Sequence, residues 1–387
     1  MSASPAVWEF ATAGRVLFGA GARHQLATAV RGLGTRALLV TGRHLADGDL
    51  DVGEMTAARF IVSGEPTTVM VREGVRVYRE AACDVVIGVG GGSVIDAAKA
   101  IAALATNPGD PLDYLEVIGG GRPLERTPAP CVAVPTTAGT GSEVTRNAVL
   151  GSTEHRRKAS LRHVAMLPRV AIIDPELTMG LPPAITASTG LDALTQLIEP
   201  YVSSRATPMT DAFCLEGIRR IARSLRIAAS GAAGEAALAA RTDMSFASLL
   251  GGLALANAGL GIVHGFAAPI GGMFPAPHGA VCAALLPHGI ATNLRALRAR
   301  APHHPALDRY RHIAVALTGN PTASADDAIA ATAALSADLG IPPLREYGLT
   351  HEHVPEVARE AQRASSMKAN PIALEDDELQ ATLRPAI

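Results

Sequence analysis

The chain has 387 residues, which at about 150 residues per domain predicts two or three domains rather than one. Hydrophobic residues make up 48% and charged residues 18%, so the composition supplies large cores and excludes disorder as the main state. A formal net charge of −2 gives no field that would hold a phosphate backbone, so nucleic acid is not expected as a partner.

Targeting and membrane signals are missing from the sequence pattern. The first ten residues lack the basic stretch and apolar run of a signal peptide, and no run approaches the ~18 apolar residues of a membrane span. The four cysteines, at positions 83, 131, 214 and 282, form no CxxC pair and are typical of buried thiols rather than of disulfides or a zinc cluster. We therefore expect a cytoplasmic protein with no membrane partner.

The first half of the chain alternates strand and helix patterns. Continuous apolar runs bounded by Gly, Pro or charged residues predict buried parallel strands at 37–41, 59–62, 84–89, 131–134 and 170–173. Apolar residues at three- and four-residue spacing predict helices at 67–82 and 94–105. This alternation predicts an α/β amino-terminal nucleotide-binding domain with a parallel sheet, residues 1–181.

The strand pattern ends at residue 181. Ala- and Leu-rich helical patterns follow at 185–203, 209–227 and 234–258, and more continue to 385. The sequence therefore predicts an all-α carboxyl-terminal domain, residues 182–387, which would carry the metal and substrate site.

A glycine-rich turn is the most informative local pattern. The segment 88–99 reads GVGGGSVIDAAK, in which a strand runs into three glycines and a serine opens a helix. Backbone N–H groups without an obstructing Cβ can close on a pyrophosphate at the positive end of a helix. A tight turn with a serine cap is the alternative. The residues expected to contact a nucleotide here are Gly90, Gly91, Gly92, Ser93 and Asp96.

A second polar loop follows the next strand. The segment 134–145 reads VPTTAGTGSEVT, and its hydroxyls and glycines suit hydrogen bonding to a phosphate or a nicotinamide ribose in the crevice of an open sheet. The alternative is an ordinary polar loop. Together the two loops favour nucleotide binding, with Thr136, Thr137, Thr140 and Ser142 as the second set of contacts.

The helical half contains a candidate metal site. Asp192 and Gln196 lie four residues apart, on one face of a predicted helix. His264 and His278 both stand in apolar, glycine-rich surroundings. One carboxylate, one amide and two imidazoles form a mixed set that Fe(II) or Zn accepts. Either histidine alone is more often a core or capping residue than a ligand.

These segments, with IDPELT at 173–178, GLDALT at 190–195 and LPH at 286–288, closely resemble the iron-containing (group III) alcohol dehydrogenases, which have a dehydroquinate synthase-like fold. The resemblance runs from about residue 14 to residue 371. It implies a cleft between the two domains, reversible hydride transfer between NAD(P)H and a small aldehyde or ketone, and a homo-oligomer, expected to be a dimer. It adds Lys158 to the cofactor contacts. It also implies that Asp192, Gln196, His264 and His278 are the metal ligands, and that Asp192, His264 and His278 are catalytic.

Three departures from that family change the expectation. Gln196 stands where the family usually has histidine, and an amide is a poorer ligand, so we expect a weakly bound or absent Fe²⁺ or Zn²⁺. Ala268 replaces a histidine that commonly lines the cleft, which removes any proton relay through it. Gly42 and Arg43 follow an early strand where many members carry an aspartate, so NADP(H) is favoured slightly over NAD(H).

Several functions remain open from sequence alone. In a metal-bound enzyme the ion acts as a Lewis acid, whereas in a metal-free one His264 or His278 donates to the developing alkoxide. A maleylacetate reductase or a glycerol dehydrogenase-like enzyme of the same fold is an alternative. A non-catalytic nucleotide-binding relative is another, because both Gln196 and Ala268 depart from the family pattern.

Overall fold

The computed structural model describes residues 7–43, 52, 55–155 and 157–387. Eight strands lie within these ranges: β1 (Val16–Phe18), β2 (Ala37–Gly42), β3 (Thr56–Val62), β4 (Val85–Gly90), β5 (Cys131–Pro135), β6 (Asn147–Ser152), β7 (Arg157–Arg162) and β8 (Val170–Ile173). Six of them form one parallel sheet in the order β1-β8-β5-β4-β2-β3, and β6 pairs with β7 in an antiparallel hairpin.

Helices surround the sheet and make up the second half of the chain. The sheet region holds α1 (Leu26–Val30), α2 (Thr68–Glu80), α3 (Gly92–Thr106) and α4 (Pro111–Tyr114). The helical region holds α5 (Pro183–Val202), α6 (Pro208–Ala229), α7 (Glu235–Ala258), α8 (Ile262–Met273), α9 (His278–Arg300), α10 (Ala306–Thr318), α11 (Ala325–Asp338), α12 (Val354–Arg363) and α13 (Asp376–Leu383).

The predicted fold class is confirmed: a parallel sheet with helices comes first and a helical region follows. All five predicted strands are present. The sequence analysis missed β1, which has only three residues at the sheet edge, and the β6–β7 hairpin, in which partly exposed residues alternate with buried ones. The boundary between residues 181 and 182 stays a prediction.

Apolar side chains cover both faces of the sheet, because successive residues of a strand point to opposite sides. On one face Leu38 and Val86 pack with Ile101 of α3 in a cluster that also includes α2. On the other face Leu39 and Ile87 pack with residues of α1. The sheet is therefore held between two apolar layers, and its open carboxyl edge is left for polar contacts.

The carboxyl ends of β4 and β5 bring the two polar loops together. Gly90, the last residue of β4, pairs in register with Pro135, the last residue of β5. The glycine turn and the loop at 136–145 therefore start side by side on the same edge of the sheet, as ligand-binding crevices do in open α/β sheets.

Buried Lys99 fixes these two loops to each other. Its ammonium donates to the Ser142 carbonyl oxygen at 2.9 Å and to Thr145 Oγ1 at 3.0 Å, and it lies 3.1 Å from an oxygen of Asp96. Three partners offset the large cost of burying a lone ammonium. Because Lys99 and Asp96 lie on α3, the glycine turn and the second loop form one unit.

The second loop also touches the helical region directly. Gly141 has φ +58°, a left-handed conformation that glycine adopts without strain. A Cβ on Gly252 of α7 would lie only 2.5 Å from the Gly141 carbonyl oxygen, so a larger residue at position 252 would collide with the loop. Two glycines facing each other thus let the loop lie against α7, which joins the sheet edge to the helices.

No single helix in the described part of the chain is long and apolar enough to cross a membrane. Taken together, α7 and α8 are long and apolar enough, but a 98° bend separates the two helices.

Glu143, in the same loop, makes stability depend on pH. Burial raises the pKa of Glu143 from 4.5 to about 7, while a backbone hydrogen bond and Lys99 act in the opposite direction. A raised carboxyl pKa means that the folded state holds its proton more tightly than the unfolded state. The stabilising contribution is complete below about pH 4.5 and is lost as the pH rises through about 7.

We expect Glu143→Gln to remove this loss, because the amide stays neutral. As the pH rises from 4.5 to 8, the free energy of unfolding of the variant should increase relative to that of the native chain by on the order of 3 kcal/mol. Urea unfolding at both pH values measures the difference. Glu235→Gln, at an exposed helix start, is the control. Equal pH slopes for the native chain and Glu143→Gln would contradict this assignment.

Candidate active site

A cavity of about 690 Å³ lies between the carboxyl edge of the sheet and the helices. Gly92, Ser93 and Thr140 line it from the two loops. Gln196 and His264 line it from α5 and α8, and further lining comes from β6, β7 and α12. The start of α3 and three of the four predicted metal residues, Gln196, His264 and His278, therefore open into one space, although about 100 residues or more separate Gly92 from them in the chain.

The glycine turn packs so closely against the second loop that side chains at Gly91 and Gly92 would collide with it. A Cβ on Gly92 would lie 2.6 Å from Cγ2 of Thr140, and one on Gly91 would lie 3.3 Å from Cγ2 of Thr137. Gly91 has φ −71°, which any residue adopts, so close approach rather than an unusual dihedral favours glycine there. The turn opens directly onto the amino terminus of the 15-residue helix α3, whose N–H groups and dipole suit an anion.

Two of the predicted cofactor residues bond to each other. The Ser142 hydroxyl donates to Asp96 Oδ1, and the backbone N–H of Val149 donates to Asp96 Oδ2 at 2.9 Å. Both residues line the cavity, but their side chains hold α3, the second loop and β6 together. Lys158 lines the cavity from β7 and forms an ion pair with Glu65.

The other predicted cofactor residues lie around the turn without lining the cavity. Thr136 donates its backbone N–H to the Gly90 carbonyl oxygen at 3.0 Å. Gly42 is the last residue of β2, and a Cβ added to it would lie 3.8 Å from Cγ2 of Val94 on α3. The next residue, Arg43, is exposed. The described part of the chain therefore places Gly42 next to the first turns of α3, where the adenosine ribose end of a dinucleotide is expected.

Asp192, His264 and His278 come together from three helices. Oδ1 of Asp192 on α5 lies 3.4 Å from Nε2 of His264 on α8 and 3.6 Å from Nε2 of His278 on α9. Asp192 and His264 are buried, whereas the His278 side chain is 37% exposed. The two ring Nε2 atoms thus point toward one carboxylate oxygen, as they would toward a shared cation.

The orientation of His264 is fixed from behind by a second carboxylate. Oε2 of Glu199 lies 2.7 Å from His264 Nδ1, and Oε1 accepts the backbone N–H of Val263 at 2.6 Å. Gly261 precedes α8, and a Cβ there would come within 3.1 Å of the Glu199 carboxylate. A carboxylate behind a histidine leaves the opposite nitrogen free to bind a metal and increases its basicity. Sequence analysis missed Glu199, although its spacing from Asp192, seven residues or two helical turns, was visible.

The electrostatics of the cluster favour positive charge at its centre. Burial opposes ionisation of Asp192, but His278 and His264 hold the pKa of its carboxyl below its usual value. Burial also opposes protonation of the imidazoles, yet Cys282 and Asp192 raise the pKa of His278 to about 9 and that of His264 well above its usual value. A cation among these groups is therefore stabilised.

Cys282, a free buried thiol as the sequence analysis expected, lies in the same cluster. One ligand atom from each of Asp192, His264, His278 and Cys282 lies within 4.8 Å of the others. All four cysteines of the chain are free and buried. The missed signal is the spacing of His278 and Cys282, which at four residues apart share one face of α9.

The residues present fit a divalent metal and a dinucleotide. Oδ1 of Asp192 and Oε1 of Gln196 are buried without a hydrogen-bond partner, which is costly unless a cation or another group satisfies them. Imidazole and carboxylate are ligand types of Zn²⁺ and Fe²⁺. Gly92 and Ser93 line the cavity at the start of α3, where a phosphate group can approach the N–H groups of the helix. Ala268 lines the cavity one turn after His264 and offers no proton relay.

Comparison with known proteins places this geometry in a family. Residues 13–175 match the family described as iron-containing alcohol dehydrogenase, and residues 186–387 match the carboxyl-terminal part of the Fe-containing alcohol dehydrogenase family. The 1,3-propanediol dehydrogenase of Klebsiella pneumoniae is 40% identical over 370 residues, covering 91% of this chain and 92% of that protein. The NAD-dependent methanol dehydrogenase of Bacillus methanolicus is 34% identical, covering 92% and 93%.

A solved structure agrees with these matches. The crystal structure of a 1,3-propanediol oxidoreductase superimposes with a TM-score of 0.89 and 37% identity, covering 98% of this chain and 100% of that one. The chain belongs to the iron-containing alcohol dehydrogenase family of oxidoreductases.

Proposed function

We propose that the chain interconverts a small alcohol and its aldehyde or ketone with NAD(P)(H), assisted by a divalent metal. One observation carries the proposal: the glycine turn at Gly92 and two members of the metal cluster, His264 and His278, line one cavity of about 690 Å³, with Asp192 buried beside them. A carbonyl between them would meet both a dinucleotide and a cation. When bound, the dinucleotide supplies or accepts the hydride and the metal polarises the carbonyl oxygen.

The chain's own groups provide binding and orientation. The N–H groups from Gly90 to Ser93 and the start of α3 bind the diphosphate, and Thr140 closes the turn from the second loop. Asp192, His264 and His278 hold the ion, with His264 oriented by Glu199. Because Asp192 and His264 are buried, water reaches the cluster mainly from the cavity side, where His278 is exposed.

Transfer of a labelled hydride tests the function. With NADPH or NADH deuterated at C4 of the nicotinamide, we expect deuterium on the carbinol carbon of at least one product from a panel of small aldehydes and ketones. Mass spectrometry of the products measures it, and maleylacetate and dihydroxyacetone belong in the panel. Dialysis against a chelator should abolish transfer, and added Zn²⁺ or Fe²⁺ should restore it, because the metal polarises the carbonyl.

Cofactor binding without any transfer would contradict this proposal. A rise in melting temperature with NADPH, with no deuterium in any product of the metal-loaded protein, would support the non-catalytic binding alternative.

We further propose that the enzyme prefers NADP(H). The ribose position at the end of β2 holds Gly42 rather than a carboxylate that would repel a 2′-phosphate, and exposed Arg43 follows it. A guanidinium can donate several charge-assisted hydrogen bonds to a phosphate.

Cofactor preference is tested by two variants. Gly42→Asp should lower the ratio of kcat/KM for NADPH to that for NADH by tenfold or more, since a charge-assisted hydrogen bond is worth roughly 1.5–3 kcal/mol and about 1.4 kcal/mol is a factor of ten. Arg43→Ala should lower the same ratio. Arg226→Ala should leave it unchanged, because Arg226 pairs with Asp338 on the surface of the helical region. A native preference for NADH, or an unchanged ratio in Gly42→Asp, would exclude these residues from the ribose site.

A further inference from the structure

The metal cluster contains a donor that the four expected ligands do not include. Cys282 lies on α9 one turn after His278 and is completely buried. Its Sγ lies 3.8 Å from Nε2 of His264 and 3.7 Å from Nε2 of His278. These are the same two nitrogen atoms that face Asp192 Oδ1. A thiol therefore points into the space that the carboxylate and the two imidazoles enclose.

The distances match the edges of a tetrahedron of metal ligands. With Zn–N of about 2.0–2.1 Å and Zn–S of about 2.3 Å, tetrahedral geometry places two light ligand atoms roughly 3.3 Å apart and a sulfur and a nitrogen roughly 3.6 Å apart. The oxygen–nitrogen distances are 3.4 and 3.6 Å, and the sulfur–nitrogen distances are 3.7 and 3.8 Å. Four of the six edges therefore lie within a few tenths of an ångström of tetrahedral values, and the other two, between the imidazoles and between carboxylate and thiol, are no longer than 4.8 Å.

The donor set explains how the site can tolerate Gln196. A neutral amide oxygen is a weak ligand for Fe²⁺ or Zn²⁺, and with Gln196 as the fourth ligand we expected weak binding. A cysteine thiolate is a strong ligand and keeps the count at four protein ligands, and zinc can expand to five ligands when a carbonyl oxygen enters from the cavity. The buried Oε1 of Gln196 has no hydrogen-bond partner, so the amide can still accept a bond from a substrate hydroxyl in the cavity that it lines.

We propose that Asp192, His264, His278 and Cys282 form the metal site, and that the thiolate makes it select Zn²⁺ over Fe²⁺. Sulfur is a soft ligand, and a tetrahedral set of sulfur, nitrogen and oxygen donors is typical of zinc. On binding, the Cys282 S–H bond breaks, an S–metal bond forms and the proton goes to solvent. The assignment rests on the proposed metal-assisted function and names its fourth ligand and its ion.

Cobalt(II) spectroscopy tests the ligand without turnover. Full-length protein is stripped by dialysis against a chelator and titrated with Co²⁺. We expect a near-ultraviolet thiolate-to-cobalt charge-transfer band that saturates at one equivalent, because only a sulfur ligand gives this band. Cys282→Ser should lose the band, and Cys214→Ser, at another buried cysteine, should keep it. Stoichiometric cobalt without the band in the native protein, or a band retained in Cys282→Ser, would overturn the proposal.

Metal competition tests the selectivity. Native protein from cells supplied with both metals should contain zinc in excess of iron by inductively coupled plasma mass spectrometry. Removing a residue that only supports a ligand typically lowers metal affinity by roughly 10- to 100-fold. We expect Cys282→Ser to lower zinc affinity by more than this, and Gln196→Ala to lower it by less than Cys282→Ser does. Iron as the main metal in native protein would contradict the selectivity, and a loss in Gln196→Ala equal to that in Cys282→Ser would contradict the ligand assignment.

The two proposals fail separately. A charge-transfer band in a protein that transfers no deuterium would refute the catalytic function and support the metal site. Metal-dependent deuterium transfer by a protein that binds cobalt without the band would refute the role of Cys282 and support the catalytic function.

Discussion

A buried carboxylate in an apolar helical core needs a cation beside it, and this requirement organises the site at Asp192. Ionised Asp192 is surrounded by α5, α8 and α9, and its Oδ1 has no hydrogen-bond partner among the described residues. Removing such a charge from water costs several kcal/mol unless it is paired. Two imidazoles and a thiol point to the same place, and Glu199 orients one of the rings. Packing alone does not account for this convergence, because it would leave a buried carboxylate oxygen of Asp192 without a partner.

The sheet contributes the other half of the site through a different buried charge. Lys99 and Asp96 on α3 hold the second loop against the glycine turn, so contacts within the protein fix the surface that we propose faces a diphosphate. Pre-organisation of this kind reduces the entropy lost on binding. The contact between Gly141 and Gly252 then sets the distance from this surface to the helices. The cavity is consequently defined by buried polar contacts on both sides.

The parts of the fold and the site that could be predicted from the sequence are those set by local interactions. Four of the five predicted strands are buried almost throughout, and a parallel strand buried on both faces is a continuous apolar run; the edge strand β3 was predicted from its apolar end at 60–62. The short edge strand β1 and the hairpin β6–β7 lack that signal. Asp192, His264 and His278 were predicted from residue type and a family resemblance. Cys282 was not predicted as a metal ligand, because the sequence analysis compared the spacing of the cysteines only with one another. Its neighbours in the cluster come from three different helices.

The roles of Asp96 and Ser142 show the same limit. Their positions beside the glycine turn predicted contact with a cofactor, and they do line the cavity. The sequence could not indicate that they bond to each other, because 46 residues separate them and only the register of β4 and β5 brings them together. The resemblance identifies positions in the chain, whereas the hydrogen bonds depend on tertiary structure.

The most direct measurement of the central claim is anomalous X-ray scattering from crystals of the active protein, collected on both sides of the zinc and iron absorption edges. A metal-assisted enzyme should give one strong anomalous peak enclosed by the Asp192 carboxylate, the Nε2 atoms of His264 and His278, and Cys282 Sγ. Crystals of catalytically active protein with no peak at that position would contradict the account.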